Sequence, residues 1–361
     1  MLFENEMNHE RLGLEKLRAV KRRAVTEGQG LVTAQPLFPD RALPLLIEPS
    51  VSTLDPISWA AHNREFIEAS LRKHGGILFR NFNLKTSQQF AQFMAAISNE
   101  LLDYNERSSP RTQVSDHVYT STDYPPAYSI FVHNENSYQQ HWPMKIFFFC
   151  ETPAQSGGET PIADCRRVYA GLPANIKERF KAKKWMYVRN FGDGFGLPWR
   201  TVFQTDDRVV VEEHCRRNGI EVKWKSDDRL RLRAVRQAVH KHAYTGEDVW
   251  FNHATFFHIS TMEPAIRDAL LAELPEDDLP TNSYYGDGSA IEPDVLEELR
   301  QRYRAETVMF PWQQGDTLLL DNMLAAHGRA PYSGPRKILV GMAQQFGQTV
   351  SSANQVTENA K

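Results

Sequence analysis

The chain has 361 residues, is 41% hydrophobic and 24% charged, and carries a formal net charge of −3. That balance supplies a sizeable core and excludes the basic face or polybasic segment by which nucleic-acid and membrane-surface proteins are recognised. Cys150, Cys165 and Cys215 are too dispersed for a disulfide framework or a thiolate zinc site, which fits a reducing, cytoplasmic setting.

Glu10 to Val25 sets Leu12, Leu14, Leu17 and Val20 among many charges, so an amphipathic helix is expected within a peripheral N-terminal extension, residues 1–42. Met1 to Glu10 has no apolar core of signal-peptide length, and no apolar run reaches membrane-spanning length. A single domain over residues 43–350 is expected to follow. Leu43 to Glu48 reads as a strand, Asp55 to His74 as a helix, Gly76 to Asn81 as a second strand and Thr86 to Ile97 as a second helix. Ser109-Pro-Arg111 and Val118 to Pro125 then combine a guanidinium with hydroxyls. This mix makes Arg111 and Thr122 candidates for gripping a carboxylated or zwitterionic substrate, although such clusters also make ordinary turns.

Phe131-Val-His-Asn-Glu-Asn-Ser-Tyr138 carries His133 and Glu135 two positions apart, a spacing that projects both side chains from one face of a strand. Ile146 to Cys150 is a short apolar run suited to a buried strand, and Gly157-Gly158 marks a tight turn that sets Thr160 at the next strand's start. Residues 195–294 read as a loop-rich, lid-like insertion punctuated by Gly246, Pro264, Pro275, Pro280 and Gly286-Asp-Gly288. Within it Asp228 to His240 reads as a solvated helix, so that His240-Lys-His242 is a helix end and not a ligand pair. Trp250 to His258 is the densest aromatic segment; Asn252 is a candidate to face the site, while five-residue spacing sets His253 and His258 in packing roles. Leu318 to Gly328 then brings His327, followed by Arg329 and by Arg336 at the opening of an apolar strand, Lys337 to Gly341. The polar tail, residues 351–361, reads as frayed.

His133, Glu135 and His327 together form the parts list of a non-haem iron site. Two imidazoles and a carboxylate on one face of an octahedron leave three positions for exogenous ligands, the arrangement of oxygen-activating Fe(II) enzymes. The spacing alone is a weak signal among 12 histidines. Arg336 and Thr160 strengthen it, because a guanidinium and a hydroxyl can share the far carboxylate of a metal-chelating diacid.

In their order, His133-x-Glu135, Gly157-Gly-Glu-Thr160, Leu320-Asp-Asn322 before His327, and Arg336 resemble the motifs of the taurine dioxygenase (TauD/TfdA) family of Fe(II)/2-oxoglutarate oxygenases. His-Asn-Glu and His-Gly-Arg around the ligands are similar to its clavaminate synthase-like and SyrP-like branch. The resemblance implies a mainly β fold with flanking helices, built on a double-stranded β-helix or jelly roll. It implies His133, Glu135 and His327 as metal and catalytic residues, and Arg336 with Thr160 as the 2-oxoglutarate site, with Arg329 as a second candidate for the same carboxylate. The co-substrates would be 2-oxoglutarate and O2, released as succinate and CO2, and hydroxylation of an unactivated C–H bond would be the default outcome. The substrate would be amino-acid-like, free or tethered to a peptidyl carrier protein, in a natural-product pathway such as antibiotic biosynthesis. Desaturation, epoxidation and cyclisation share the chemistry and stay open; halogenation does not, because related halogenases lack the carboxylate that Glu135 supplies. A zinc hydrolase and a non-catalytic jelly-roll binding protein are the other classes compatible with the residues, the first without a His-Glu-x-x-His motif. The sequence is silent on oligomeric state.

Overall fold

The computed structural model describes residues 30–103, 111–122, 124–192, 196–226 and 228–347. The expected helix over Glu10 to Val25, the tail and the insertion's starting residue Phe195 lie outside those segments. The architecture is mostly β with helices, and its centre is a nine-stranded sheet. The long strand His141–Thr152 lies inside it, bonded to Thr317–Asp321 on one side and Lys337–Gly347 on the other. Beyond Thr317–Asp321 come Gly76–Phe79, Arg41–Pro49 and the edge strand Val32–Phe38. The sheet therefore begins at Val32, earlier than the boundary expected at Leu43, because Val32 to Pro36 pair in register with Leu45 to Pro49.

Alternation along His141–Thr152 explains the layering. Ile146, Phe148 and Cys150 pack with Leu318, Leu320, Ile338 and Val340 against Ile162 and Ala325 of a second, four-stranded sheet. Phe147 and Phe149 point the other way, into a core shared with Ile67, Leu71, Phe90, Phe93 and Met94 of two helices, Arg64–His74 and Ser87–Ile97. Successive side chains of a strand face opposite sides, so one apolar run serves two cores. The second sheet runs Thr307–Val308, Ile162–Asp164, Ala325–Arg329, Ile130–His133. The two sheets make a jelly-roll sandwich that does not close into a barrel.

The expected helix over Asp55 to His74 is two helices, Pro56–His62 and Arg64–His74. Asp55 caps the first through Ser58, and Asn63 breaks the run with its side-chain amide bonded back to the Trp59 carbonyl. The helix expected over Asp228 to His240 is instead the strand Leu230–Arg236 followed by Val239–Lys241. Leu230, Leu232, Ala234 and Arg236 are buried and the residues between them more open, a period of two that decides for a strand. This strand pairs with Trp185–Phe191 and Glu221–Trp224 in a four-stranded sheet completed by Thr281–Tyr285. The insertion is thus a folded layer that starts before residue 195, and its Trp185, Trp250 and Tyr285 pack in a core shared with Val132, Ala163 and Ala326 of the second sheet. Among the described residues no helix is long and apolar enough to cross a membrane.

Candidate active site

Strand register brings the two histidines together. His327, on Ala325–Arg329, lies directly opposite His133, the last residue of Ile130–His133. Directly opposed residues of an antiparallel pair project to the same face a few ångströms apart. Nδ1 of His133 lies 2.9 Å from the Phe131 carbonyl, which fixes the ring and leaves Nε2 to point outward. Glu135 arrives differently from the expectation. The strand ends at His133 and Glu135 sits in the following turn, so strand alternation does not aim it. Its backbone N–H instead donates to Oδ1 of Asn322 at 2.8 Å, and Asn322 Nδ2 donates back to the Glu135 carbonyl at 2.8 Å.

The three donor atoms lie within 4.8 Å of one another, and Glu135 Oε2 is 3.8 Å from His327 Nε2. Cis ligands held by bonds of about 2.1 Å stand roughly 3 Å apart, so small side-chain adjustments let all three reach one ion. Burial pushes the His133 imidazole below the usual histidine range and the His327 imidazole well below it, which keeps both neutral with a lone pair to donate. Nε2 of His327 is the nitrogen that faces Glu135, while its buried Nδ1 has no hydrogen-bond partner among the described residues. Two neutral imidazoles and a carboxylate fit a divalent, oxygen-activating metal.

A cavity opens from His133 and His327 and is also lined by Arg111, Thr122, Thr160, Arg329 and Arg336. Arg336 Nε donates to the Gly158 carbonyl at 2.8 Å, and its guanidinium lies 5.4 Å from the Tyr332 ring centre. Gly158 has φ 75°, and a Cβ there would come within 2.9 Å of Arg336 Cδ, so this turn needs glycine for both conformation and room. Burial, and then the neighbouring Arg329, bring the Arg336 guanidinium down to about 10, still charged at neutral pH but short of counter-charge. Thr160 Oγ1 accepts a 3.2 Å bond from Trp312 Nε1, which leaves its proton for an anion in the cavity.

The profile of the taurine catabolism dioxygenase TauD, TfdA family matches residues 36–343. The chain belongs to that family. It is therefore a non-haem Fe(II)/2-oxoglutarate-dependent oxygenase that uses O2, as the motifs implied. Its sequence is 41% identical over 276 residues to the dapdiamide synthesis protein DdaC of Enterobacter agglomerans, covering 76% of this chain and 84% of that one. A clavaminate synthase-like protein of Arabidopsis thaliana is 27% identical over 291 residues, 78% of this chain and 85% of the other. Among solved structures, PvcB of Pseudomonas aeruginosa superposes with a TM-score of 0.54 at 14% identity over 86% of this chain and 91% of its own, a likeness of fold.

The remaining predicted residues of this TauD/TfdA member divide. Arg329 lines the cavity, but its guanidinium donates to the carbonyls of Tyr124, Pro125 and Tyr128 at 2.7, 2.7 and 2.8 Å. It clamps a loop. Arg111 is buried and donates from Nη2 to Glu135 Oε2 at 2.8 Å, directly against the triad. Thr122 lines the same cavity and a larger outer chamber of about 960 Å3, which Leu197 and Thr201 of the insertion help to wall. Asn252 is not brought to the site: its amide donates to the Ala238 carbonyl and its oxygen accepts from the Ala254 N–H, so it is consumed in the insertion's own turn. His253 packs 5.7 Å from the His133 ring and contacts Ser137, and His258 caps the turn Ile259–Thr261. His242 is no solvated helix end; it is buried with Nε2 3.0 Å from Asp321 Oδ2. Sequence reasoning missed Phe256, which stacks on His133 at 4.3 Å, and the structural part of Asn322. Polar Asp321-Asn322 inside an otherwise apolar run was the available signal for the second; nothing marked Phe256 among the neighbouring aromatics.

Proposed function

We propose that this oxygenase hydroxylates an unactivated C–H bond of an amino-acid-like substrate in natural-product biosynthesis, with His133, Glu135 and His327 as the iron ligands. The observation that carries the reading is the cluster of three donor atoms within 4.8 Å, opening on a cavity that also holds Arg336 and Thr160. The relative DdaC, named for dapdiamide synthesis, supports the pathway class. Iron(II) at the triad supplies oxygen activation coupled to decarboxylation of 2-oxoglutarate. The chain's own residues do the rest. Arg336 and Thr160 bind the distal carboxylate, a role for which Arg336 is better suited than Arg329, whose donors are already engaged by carbonyls. Phe256 stacks on His133, Phe148 packs at a tilt against His327, and the two rings keep water from the ligand imidazoles. Arg111, a buried cation beside the metal site, would be left short of counter-charge once a divalent ion shares the Glu135 charge; a substrate carboxylate restores neutrality there. Thr122 adds a hydroxyl to the same wall. The occupied Glu135 position favours hydroxyl transfer over halogenation.

In this reading the catalytic unit expected over residues 43–350 extends back to the edge strand at Val32, the folded insertion, which begins before residue 195 and ends near 294, is the lid that walls the outer chamber, and a carrier-borne aminoacyl group is admitted through that chamber. The three cysteines are buried and outside any disulfide, in keeping with a cytoplasmic setting. Anaerobic Fe(II) with 2-oxoglutarate should give a weak visible charge-transfer band. Admission of oxygen should then release succinate, accelerated by one member of a panel of free and carrier-loaded amino acids. Acceleration by non-amino-acid substrates alone would overturn the substrate class.

A further inference from the structure

The Glu135 carboxylate is the only member of the triad that no strand aims, yet it must stand within bonding distance of an ion that two strands hold in register. Arg111 Nη2 meets the carboxylate itself at 2.8 Å, and the backbone of its turn is tied down by Asn322. Asn322 Oδ1 accepts from the Glu135 N–H at 2.8 Å, and Nδ2 donates to the carbonyls of Glu135 and Pro143, both at 2.8 Å. A carboxamide pairs in this way as a neighbouring strand would, with an acceptor and a donor to one residue, and its second N–H is used on Pro143. Asn322 is fully buried, its own N–H donates to the Met144 carbonyl, and its own carbonyl accepts from Asn134 Nδ2 at 2.6 Å. Asn134 is the residue between His133 and Glu135, so the clamp grips both sides of the turn.

The base of the clamp is also fixed. Asp321 Oδ1 accepts from the N–H groups of Met323 and Leu324 at 3.0 and 3.1 Å, and Oδ2 receives His242 Nε2 at 3.0 Å. The Thr245 N–H donates to His242 Nδ1, which puts the imidazole proton on Nε2, facing Asp321. Asn322 precedes His327 on the same turn-and-strand segment. Asn322 therefore ties the Glu135 backbone to the segment that carries the second histidine, while Arg111 orients the carboxylate.

We propose that Asn322 is the positioning residue for Glu135: it substitutes for the missing strand partner and holds the carboxylate in metal-binding geometry. The inference rests on the assignment of His133, Glu135 and His327 as ligands. Asp at this position keeps the shape but cannot donate, and would turn a carboxylate oxygen toward the Glu135 and Pro143 carbonyls.

The test is anaerobic Co(II) titration of the full chain, followed by visible absorption, alongside thermal unfolding of the metal-free protein. Asn322→Asp and Asn322→Ala should lose about 10- to 100-fold in Co(II) affinity, the range for residues that orient metal ligands. Asn190→Ala is the control, because Asn190 is a buried amide bonded to the Asp277 and Leu279 carbonyls, remote from the triad. It should lower the unfolding temperature comparably and leave Co(II) affinity unchanged. If an Asn322 variant does not fold, Asn134→Ala, which removes the 2.6 Å bond to the Asn322 carbonyl together with the weak contacts to Cys165 Sγ, should still lose affinity several-fold. Asn322 or Asn134 variants that bind Co(II) within twofold of the parent protein overturn the proposal. Failure of the parent protein to bind, or undiminished binding by Glu135→Ala, instead overturns the ligand assignment.

Discussion

Arg336 shows how a single side chain converts burial into selectivity. A guanidinium held below solvent beside a second cation, Arg329, is stable only with an anion opposite it, and the cavity supplies none of its own there. Arg336→Ala should therefore weaken 2-oxoglutarate by roughly 2–3 kcal/mol, about 30- to 150-fold, with Co(II) or Fe(II) affinity little changed. Isothermal titration of each ligand separates the two; equal loss of both would remove Arg336 from the carboxylate site. Histidines away from the triad give a second prediction. Burial brings His240 and His258 down to about 4. In the unfolded chain they protonate near 6.5, so the native state is fully favoured above that value and loses stability as pH falls from 6.5 toward 4. Each unit of depression is worth about 1.4 kcal/mol. Urea midpoints of the metal-free protein should fall across that window, and replacing His258 by Gln should flatten the slope; a midpoint constant from pH 7 to about 4 would contradict the assignment.

At the scale of elements, turns carry the chemistry and strands carry the register. The Gly157-Gly158 turn is the clearest case, since it delivers Thr160 and supports Arg336 at once. Gly158→Ala meets a left-handed backbone and a Cβ 2.9 Å from Arg336 Cδ. The backbone cost is about 1–2 kcal/mol, and the flexible arginine is the part that yields. The expected result is a several-fold rise in the Kd for 2-oxoglutarate with metal binding retained, read by the charge-transfer band; an unchanged Kd would mean that Arg336 tolerates the displacement.

The same scale explains what could be read beforehand. Leu43 to Glu48, Gly76 to Asn81 and Thr86 to Ile97 were legible because caps, glycines and apolar runs act locally, and the ordered motifs pointed to the family. The arginine-rich stretch Asp228 to His240 was not. Leu230, Ala234 and Ala238 recur every four residues, as on a helix, while the burial alternation and the pairing with Trp185–Phe191 that decide for a strand exist only in the folded sheet. Glu135 is subtler. Its association with His133 was anticipated, but its means of support was not, because a side-chain clamp from a residue far along the chain has no periodicity to reveal it.

For the molecule as a whole, the triad ties together segments at opposite ends of the domain. His133 and Glu135 precede the insertion, and His327 follows it. An ion shared by them cross-links both borders of the folded insertion to the second sheet, a link the unfolded chain cannot maintain. Binding to the native state alone adds stability by mass action, about 2.7 kcal/mol when the metal is at a hundredfold excess over its Kd. For a domain of this size that is a rise of roughly 4 °C in Tm. Mn(II), which occupies such oxygen and nitrogen sites without activating O2, isolates the effect from turnover. Calorimetry with Mn(II) should show the rise, chelation should reverse it, and Glu135→Ala should abolish it. A Tm indifferent to Mn(II) at saturating concentration would mean that these three side chains do not share an ion. A rise retained in Glu135→Ala would place the ion elsewhere in the fold.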